Sequence, residues 1–405
     1  MGTRKKIKVG VIFGGRSGEH EVSLVSAASV MRALDKKKYE LVLIGITKEG
    51  KWIVEEDSLE VLREGKGISK KNEALLILDP NKDGFLRVGE KVIKIDVAFP
   101  VLHGPYGEDG TIQGLFETVD IPYVGAGVLA SSVGMDKVVQ KQLFEQAGLS
   151  VVKYLSFTKP VSGKCSISNI LRQPKGVRKM LRDKTTLEKC SLISILRRLI
   201  IPRIEKNLGY PCFVKPVNLG SSVGISNAYD RKKLLEGMRV AWRYDRKIII
   251  EKAVSNAREI ECSVLGNKEP MVSVPGEIIP SGEFYDYNAK YVDGASKTVI
   301  PAKLPPKVTK TIQDIALKAY KAIDCSGMAR ADFLVDKKTH KIYLNELNTI
   351  PGFTSISMYP KLWEATGLKY SKLLDMLIEL AFERFKEKNK LVTSYTAKKK
   401  WYKGN

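Results

Sequence analysis

Long apolar runs are missing from this 405-residue chain: none approaches the ~20 residues that a membrane-crossing helix needs. Cysteine is scarce. The five thiols (Cys165, Cys190, Cys212, Cys262 and Cys325) are scattered and form no CxxC pair, which argues against a disulfide framework or a thiolate zinc site. Reduced thiols suit a cytoplasmic location. The basic start leads into Ile7–Gly15, which is too short and too glycine-rich for a secretory signal and reads instead as a first strand. Acidic residues are in deficit, 45 against 68 Lys and Arg, for a net charge of +23. What is present in ordinary amounts excludes wholesale disorder, since 43% of residues are hydrophobic and 28% charged. A chain of 405 residues exceeds one compact core, and roughly 100–200 residues per domain implies two or three.

The positive charge is local. Pro160 to Lys206 holds 12 Lys and Arg against 3 acidic residues, and Arg384 to Asn405 holds 8 against Glu387 alone. Neither segment contains a DNA- or RNA-binding module, so a solvated basic insertion and a basic tail account for both. Contact with RNA, anionic lipid or an acidic partner is the alternative.

Strand and helix signals alternate over the first 125 or so residues: strands at Ile7–Phe13, Leu41–Ile46 and Ile93–Pro100, helices at Ser23–Leu34 and Thr111–Thr118. That alternation predicts a parallel sheet with helices on both faces and ligands beyond the carboxyl ends of its strands, where Gly14-Gly15 and His103-Gly104 fall. A helix at Met135–Gly148 ends on glycine. Leu187–Ile201 has apolar residues at helical spacing, and a strand at Cys212–Lys215 leads into Gly220–Gly224. Helix Lys232–Trp242, strand Ile248–Lys252 and further strands to Ile279 follow. Ser281–Lys297 is polar, tyrosine-rich and aperiodic, as a lid loop would be. A helix at Val308–Ile323, a hairpin from Met328 to Asn348 and a helix near Ser371–Lys386 complete the pattern.

The hairpin carries the most chemistry. Alternation puts Arg330 and Asp332 on one face of the first strand, and Glu346 and Asn348 on one face of the second, with Leu347 turned to the core. Two carboxylates and an amide, without Cys or His, make a hard-oxygen set suited to Mg²⁺, which takes the rest of its shell from water and substrate phosphates. Arg330 would stabilise negative charge on a transferred group. A surface hairpin with ordinary salt bridges would show the same spacing. Gly220-Ser221-Ser222-Val223-Gly224, shortly after Lys215-Pro216, can present backbone N–H groups to phosphate, although no Gly-Lys-Ser/Thr follows as in a P-loop. Ile248–Lys252 passes from apolar to polar as an adenine slot would. Of three histidines, His20 and His103 lie in glycine-rich loops.

Taken together, these segments resemble the D-alanine–D-alanine ligases of the ATP-grasp superfamily, from about Ile7 to about Lys386. The resemblance rests on Gly14–Ser23, His103–Gly114, Met135-Asp136-Lys137, Lys215-Pro216 with Gly220–Gly224, Tyr285–Tyr291 and Asn345–Pro360, all in the family's order. It implies an α/β fold (α+β in the ATP-grasp part), an N-terminal Rossmann-like parallel sheet followed by a two-lobed ATP-grasp domain. The expected divisions are 1–125 for the N-terminal substrate-binding domain and 126–256 for the central lobe, with a basic insertion at about 160–206. The C-terminal lobe takes 257–390 and a basic tail 391–405.

The same resemblance implies roles. Glu19 and His103 would line the pocket of the first D-alanine, and Lys137 and Lys215 would grip ATP phosphates. Glu251, Lys252, Val254 and Asn345 would belong to the nucleotide site, with Glu259 on the ribose; Phe284 and Lys290 would close over the nucleotide. Ser221 and Tyr291 would join Glu19 in a hydrogen-bonded triad that locks the loop. Asp332, Glu346 and Asn348 would bind two Mg²⁺, with Mn²⁺ able to replace it, and Arg330 and the Gly352 N–H would stabilise a tetrahedral intermediate. Ser357 and Met358 would hold the second D-alanine's carboxylate. The implied activity is ATP-dependent joining of two D-alanines for peptidoglycan precursors, by a cytoplasmic homodimer. Alternatives are D-lactate or D-serine as the second substrate, or a basic RNA- or lipid-binding protein on an inactivated ligase scaffold. The chain departs from the family in the length of Lys159–Lys206 and in the tail after Lys390.

Overall fold

The computed structural model describes residues 5–55, 57–64, 72–81, 85–159, 200–280, 296–354 and 356–395. The expected loop up to residue 295, nearly all of the basic insertion and the tail from 396 lie outside the described residues. So do Phe284, Lys290 and Tyr291.

The first sheet has a parallel centre. Strand β1 (Ile7–Gly14) pairs with β2 (Tyr39–Ile46) on one side and β7 (Val97–Pro100) on the other. Its alternation feeds two cores. Val9, Val11 and Phe13 meet helix α1 (His20–Ala33) on one face. Ile12 turns to the other face, with Ile44, Ala98 and Phe116 of α3 (Thr111–Thr118). Burial on both faces is why these strands read as continuous apolar runs. Beyond β2 the sheet turns antiparallel through β3 (Trp52–Val54), β4 (Glu73–Leu76), β5 (Leu86–Val88) and β6 (Lys91–Ile93), giving seven strands in the order β6-β5-β4-β3-β2-β1-β7. A short helix α2 (Ser58–Glu64) interrupts this extension. The single strand expected at Ile93–Pro100 is therefore two strands, broken around Asp96.

Helices α4 (Val128–Met135) and α5 (Lys137–Gln146) follow. The break between them is Asp136, whose extended backbone stops α4 and whose carboxylate accepts the N–H groups of Val138 and Val139, each at 3.0 Å. The second sheet comprises β8 (Tyr154–Thr158), β9 (Cys212–Pro216), β10 (Ser226–Ala228) and β11 (Lys247–Lys252), antiparallel in the order β10-β9-β11-β8. Helices α6 (Ile201–Asn207) and α7 (Arg231–Tyr244) cover it and share its core.

The third sheet runs β15-β14-β12-β16-β17, with β13 (Met271–Val272) paired to β12. Its strands are β12 (Ala257–Leu265), β14 (Gly276–Ile279), β15 (Lys297–Val299), β16 (Met328–Asp336) and β17 (Ile342–Asn348). Helix α8 (Pro306–Ala322) packs one face through Ile312, Ala316, Ala319 and Tyr320. Helix α9 (Met358–Ala365) leads to α10 (Tyr370–Lys388), which returns to the first sheet, where Leu373, Leu374 and Leu377 join the core of β1 and α1. Among the described residues no helix is long and apolar enough to cross a membrane.

Candidate active site

One cavity of about 490 Å³ is walled by all three sheets. On the side of the first sheet, Glu19 precedes α1, where its backbone N–H is 3.1 Å from the Ser17 hydroxyl, which in turn donates to the His103 carbonyl at 2.7 Å. His103 is buried, with Nε2 3.0 Å from Ser26 Oγ and Nδ1 3.4 Å from a Glu108 carboxylate oxygen. Burial works against charging His103, but the Glu108 bond and the Glu108 and Glu19 carboxylates prevail and raise its pKa above the usual 6.5. Burial also raises Glu108, helped by the field of Glu19 and opposed by His103. His20 is different: it is buried at the start of α1, 2.9 Å from the Gly15 carbonyl, a core histidine.

From the second sheet, the Gly220–Gly224 loop reaches across to this pocket, and Ser221 donates a short hydrogen bond to Glu19 Oε1. Gly220 presses its backbone so close that a Cβ there would stand 2.6 Å from Glu19 Oε2. Behind the loop, Lys137 at the first turn of α5 donates to the Leu219 carbonyl at 2.8 Å and lies 3.6 Å from Glu346. Lys215 on β9 sits 2.6 Å from Glu251 on β11, whose other oxygen is 3.0 Å from Lys141. Burial disfavours the Glu251 carboxylate, yet the two lysines outweigh it and hold its pKa at about 2. The same burial lowers Lys141, whereas in Lys215 the attraction of Glu251 exceeds it and the pKa is raised.

The third sheet contributes a charged face. Register pairs Arg330 with Asn348 and Asp332 with Glu346, then Phe333 with Leu344, so Asn345 is the extra residue of a β-bulge. Strict alternation would turn Leu344 and Glu346 the same way; the bulge lets Leu344 and Leu347 both enter the core while Glu346 faces the cavity. Arg330 donates to both Asp332 oxygens at 2.7 Å and lies 2.9 Å from Glu261, which stands opposite Asp332 on β12. Asn348 donates to Asp332 at 2.9 Å, leaving its amide oxygen available.

Lys252, Val254, Glu259, Asn345 and Gly352 also line the cavity. Ser357 and Met358 do not. Ser357 Oγ accepts the Thr354 N–H at 3.0 Å beside Gly352, and the Met358 side chain is buried with Ile278 and Leu362. Three residues on these walls escaped the motif reading: Glu108, Glu261 and, one layer deeper, Lys141. Spacing held a signal for two of them, since Lys141 is one turn beyond Lys137 and Glu261 is two residues beyond Glu259.

Comparison with known proteins decides the family. The D-ala D-ala ligase N-terminus family matches residues 8–126 and the D-ala D-ala ligase C-terminus family matches residues 192–379. A D-alanine–D-alanine ligase of Chloroherpeton thalassium is 48% identical over 393 residues, covering 95% of this chain and 98% of its own. The chain belongs to the D-alanine–D-alanine ligase family. The ligase of Clostridium acetobutylicum is 50% identical over 379 residues, covering 94% of this chain and 99% of its own. Among solved structures, the D-alanine–D-alanine ligase of Coxiella burnetii superposes with a TM-score of 0.77 at 33% identity, over 96% of this chain and 97% of that one. VanG D-Ala:D-Ser ligase of Enterococcus faecalis gives 0.75 at 36%, over 93% and 100%.

This ligase family uses ATP and a divalent metal. Among the described residues no three His, Cys, Asp or Glu side chains converge to hold a metal unaided. The donor set of Asp332, Glu346 and Asn348 nevertheless fits a hard cation that completes its shell with nucleotide phosphates, because it offers carboxylate and amide oxygens on one face beside Lys137.

Proposed function

We propose that this ligase joins two D-alanines, at the expense of ATP, into D-alanyl-D-alanine for peptidoglycan precursors. The observation that carries the reading is the meeting of three charge sets in one cavity: Glu19 with Ser221, Lys137 with Lys215, and the Arg330–Asp332–Glu346 face. Glu19 takes the ammonium of the first D-alanine, with His103 lining the same pocket. Lys137 and Lys215 draw the ATP phosphates between the sheets, while Lys252, Val254 and Glu259 border base and ribose. The first amino acid's carboxylate attacks the γ-phosphorus and ADP leaves, giving an acyl phosphate. The amine of the second D-alanine, with its carboxylate near Ser357 and the N–H of Met358, adds to that carbonyl. Arg330 and the Gly352 N–H stabilise the tetrahedral oxyanion before phosphate departs. Bound at Asp332, Glu346 and Asn348, two Mg²⁺ ions, or Mn²⁺ in their place, would offset charge on the transferred phosphoryl group. Tyr291, Phe284 and Lys290 belong to the segment assigned here to closing the site against water.

The reading divides the chain into a substrate domain at 1–125, a central lobe at 126–256 and a C-terminal lobe at 257–390, and it takes a homodimer as the working form. The likeness to a D-Ala:D-Ser ligase makes D-serine the competing second substrate. Phosphate release with ATP and Mg²⁺, with product masses, tests both. Release requiring D-alanine, with D-alanyl-D-alanine as the main product of an equimolar D-alanine and D-serine mixture, supports the reading. A mixed dipeptide as main product replaces it with the D-serine reading. No release with any D-amino acid overturns it and favours a binding protein on the ligase scaffold.

A further inference from the structure

Lys141 lies just behind the site's wall: its side chain is 1% exposed, and it does not line the open cavity. Its ammonium donates to the Asn345 carbonyl at 2.8 Å and pairs with Glu251 Oε1 at 3.0 Å. Glu251 is 3% exposed, and its second oxygen holds Lys215 at 2.6 Å. Two cations thus share one buried carboxylate. Only Lys215 faces the cavity, where the reading above gives it an ATP phosphate.

A buried carboxylate left without a cation is costly, so Glu251 would resist losing Lys215 if Lys215 were its sole partner. We infer that Lys141 is a positioning residue that keeps Glu251 neutralised from behind and so frees Lys215 to turn from Glu251 to the nucleotide phosphates. Its place supports this. Lys141 lies one turn beyond Lys137 on α5, so one helix carries both a phosphate lysine and the counter-charge that releases the other. The Asn345 carbonyl that fixes it belongs to the bulge beside Glu346, which ties this pair to the metal-binding strand.

This inference rests on the nucleotide part of the proposed function, and the test is arranged so that the two can fail separately. Calorimetry would measure binding of the ATP analogue AMP-PNP, with Mg²⁺, and of adenosine to the full-length protein. Failure of the wild type to bind AMP-PNP would overturn the nucleotide reading itself and this inference with it. Given wild-type binding, Lys141→Met should weaken AMP-PNP by about 10- to 100-fold, within the range of coupling between contacting groups, and adenosine by less than about threefold. In a Glu251→Gln background the trap for Lys215 is gone, so adding Lys141→Met should cost less than about threefold in AMP-PNP affinity. That pair of proteins also decides the matter if Lys141→Met alone does not fold. Equal losses for adenosine and AMP-PNP, or a loss as large in the Glu251→Gln background, would make Lys141 a structural support for the base pocket and overturn the inference.

Discussion

Glu19 is approached from two sides by the backbone of glycines. A Cβ at Gly104 would stand 2.7 Å from its carboxylate and one at Gly220 2.6 Å. Gly104 also has φ +74°, which would strain any other residue, whereas Gly220 needs glycine for space alone. Gly220→Ala therefore isolates the steric effect: the added methyl displaces the end of the Glu19 side chain rather than backbone, so KM for the first D-alanine should rise at least about tenfold while Tm moves little. An unchanged KM would remove Glu19 from the ammonium site. Glu346→Gln should lower turnover at least about a hundredfold with an unchanged fold, because it would weaken a proposed metal donor on a cavity-facing strand; near-normal kcat would count against that ligand. His103 gives a pH signature. Its folded-state pKa is raised above 6.5, so its pairing contributes stability that is fully present below 6.5 and is lost as pH rises through the folded value. The Tm gap between wild type and His103→Gln should be widest below 6.5 and shrink at higher pH; a gap that grows with pH would reverse the assignment. Glu19, Lys215, Asp332 and Glu346 were legible because each sits in a long motif. Lys141 was not, since a lysine on an amphipathic helix reads as a solvated face until a buried carboxylate is found opposite it.

Elements were legible where burial imposes a clean period. Strands β1, β2, β9 and β11 and helices α3, α7 and α8 fall close to their apolar patterns, and the hairpin pairs Asp332 with Glu346 as alternation requires. Strands β3 to β6 escaped because three or four residues cannot display a period, and apolar residues such as Leu75 of β4 and Val92 of the edge strand β6 remain exposed. The Asn345 bulge escaped for another reason: it exists to break alternation, and only pairing with β16 exposes the skipped residue. The helix expected at Met135–Gly148 starts two residues later, at Lys137, and α4 before it was not expected, although Asp136 is a signal for the start. Asp136 is an N-cap that also pairs with Lys247 of β11. Asp136→Ala removes both, at about 1–2 kcal/mol for the cap alone. Because Lys137 is the next residue, KM for ATP should rise together with the loss of Tm. A variant that loses stability at constant KM would show that the cap does not aim Lys137.

At the scale of the molecule the three sheets make two bodies, a division hidden from the sequence because chain order sets the N-terminal sheet apart from the last helix. Helix α10 closes that distance. Its apolar face shares one core with β1, α1 and β7 and with Met328, Ile350 and Phe353 of the third lobe. Its charged residues finish the join. Asp375 accepts from Tyr39 at 2.9 Å and Lys38 at 2.6 Å, and Arg384 donates to the Tyr123 carbonyl at 2.9 Å and to Ser326 at 3.0 Å, with its guanidinium 4.2 Å above the Tyr123 ring. The second sheet keeps a core of its own and meets α5 through a small cluster of Val138, Val217 and Ile249. Glu19, Arg330, Asp332 and Glu346 therefore stand on the two sheets that α10 joins, and Lys215, Ser221 and Glu251 on the sheet that keeps its own core. Arg384→Met tests the division. It strands the Tyr123 and Gly125 carbonyls, at about 1–3 kcal/mol each for a buried unsatisfied group. Hydrogen exchange should then show β1, β7 and β16 losing protection together while β9 and β11 keep theirs. Loss confined to β1 and β7 would mean that the first sheet opens alone, and the substrate pocket of Glu19 would then be mobile relative to the metal face rather than fixed to it.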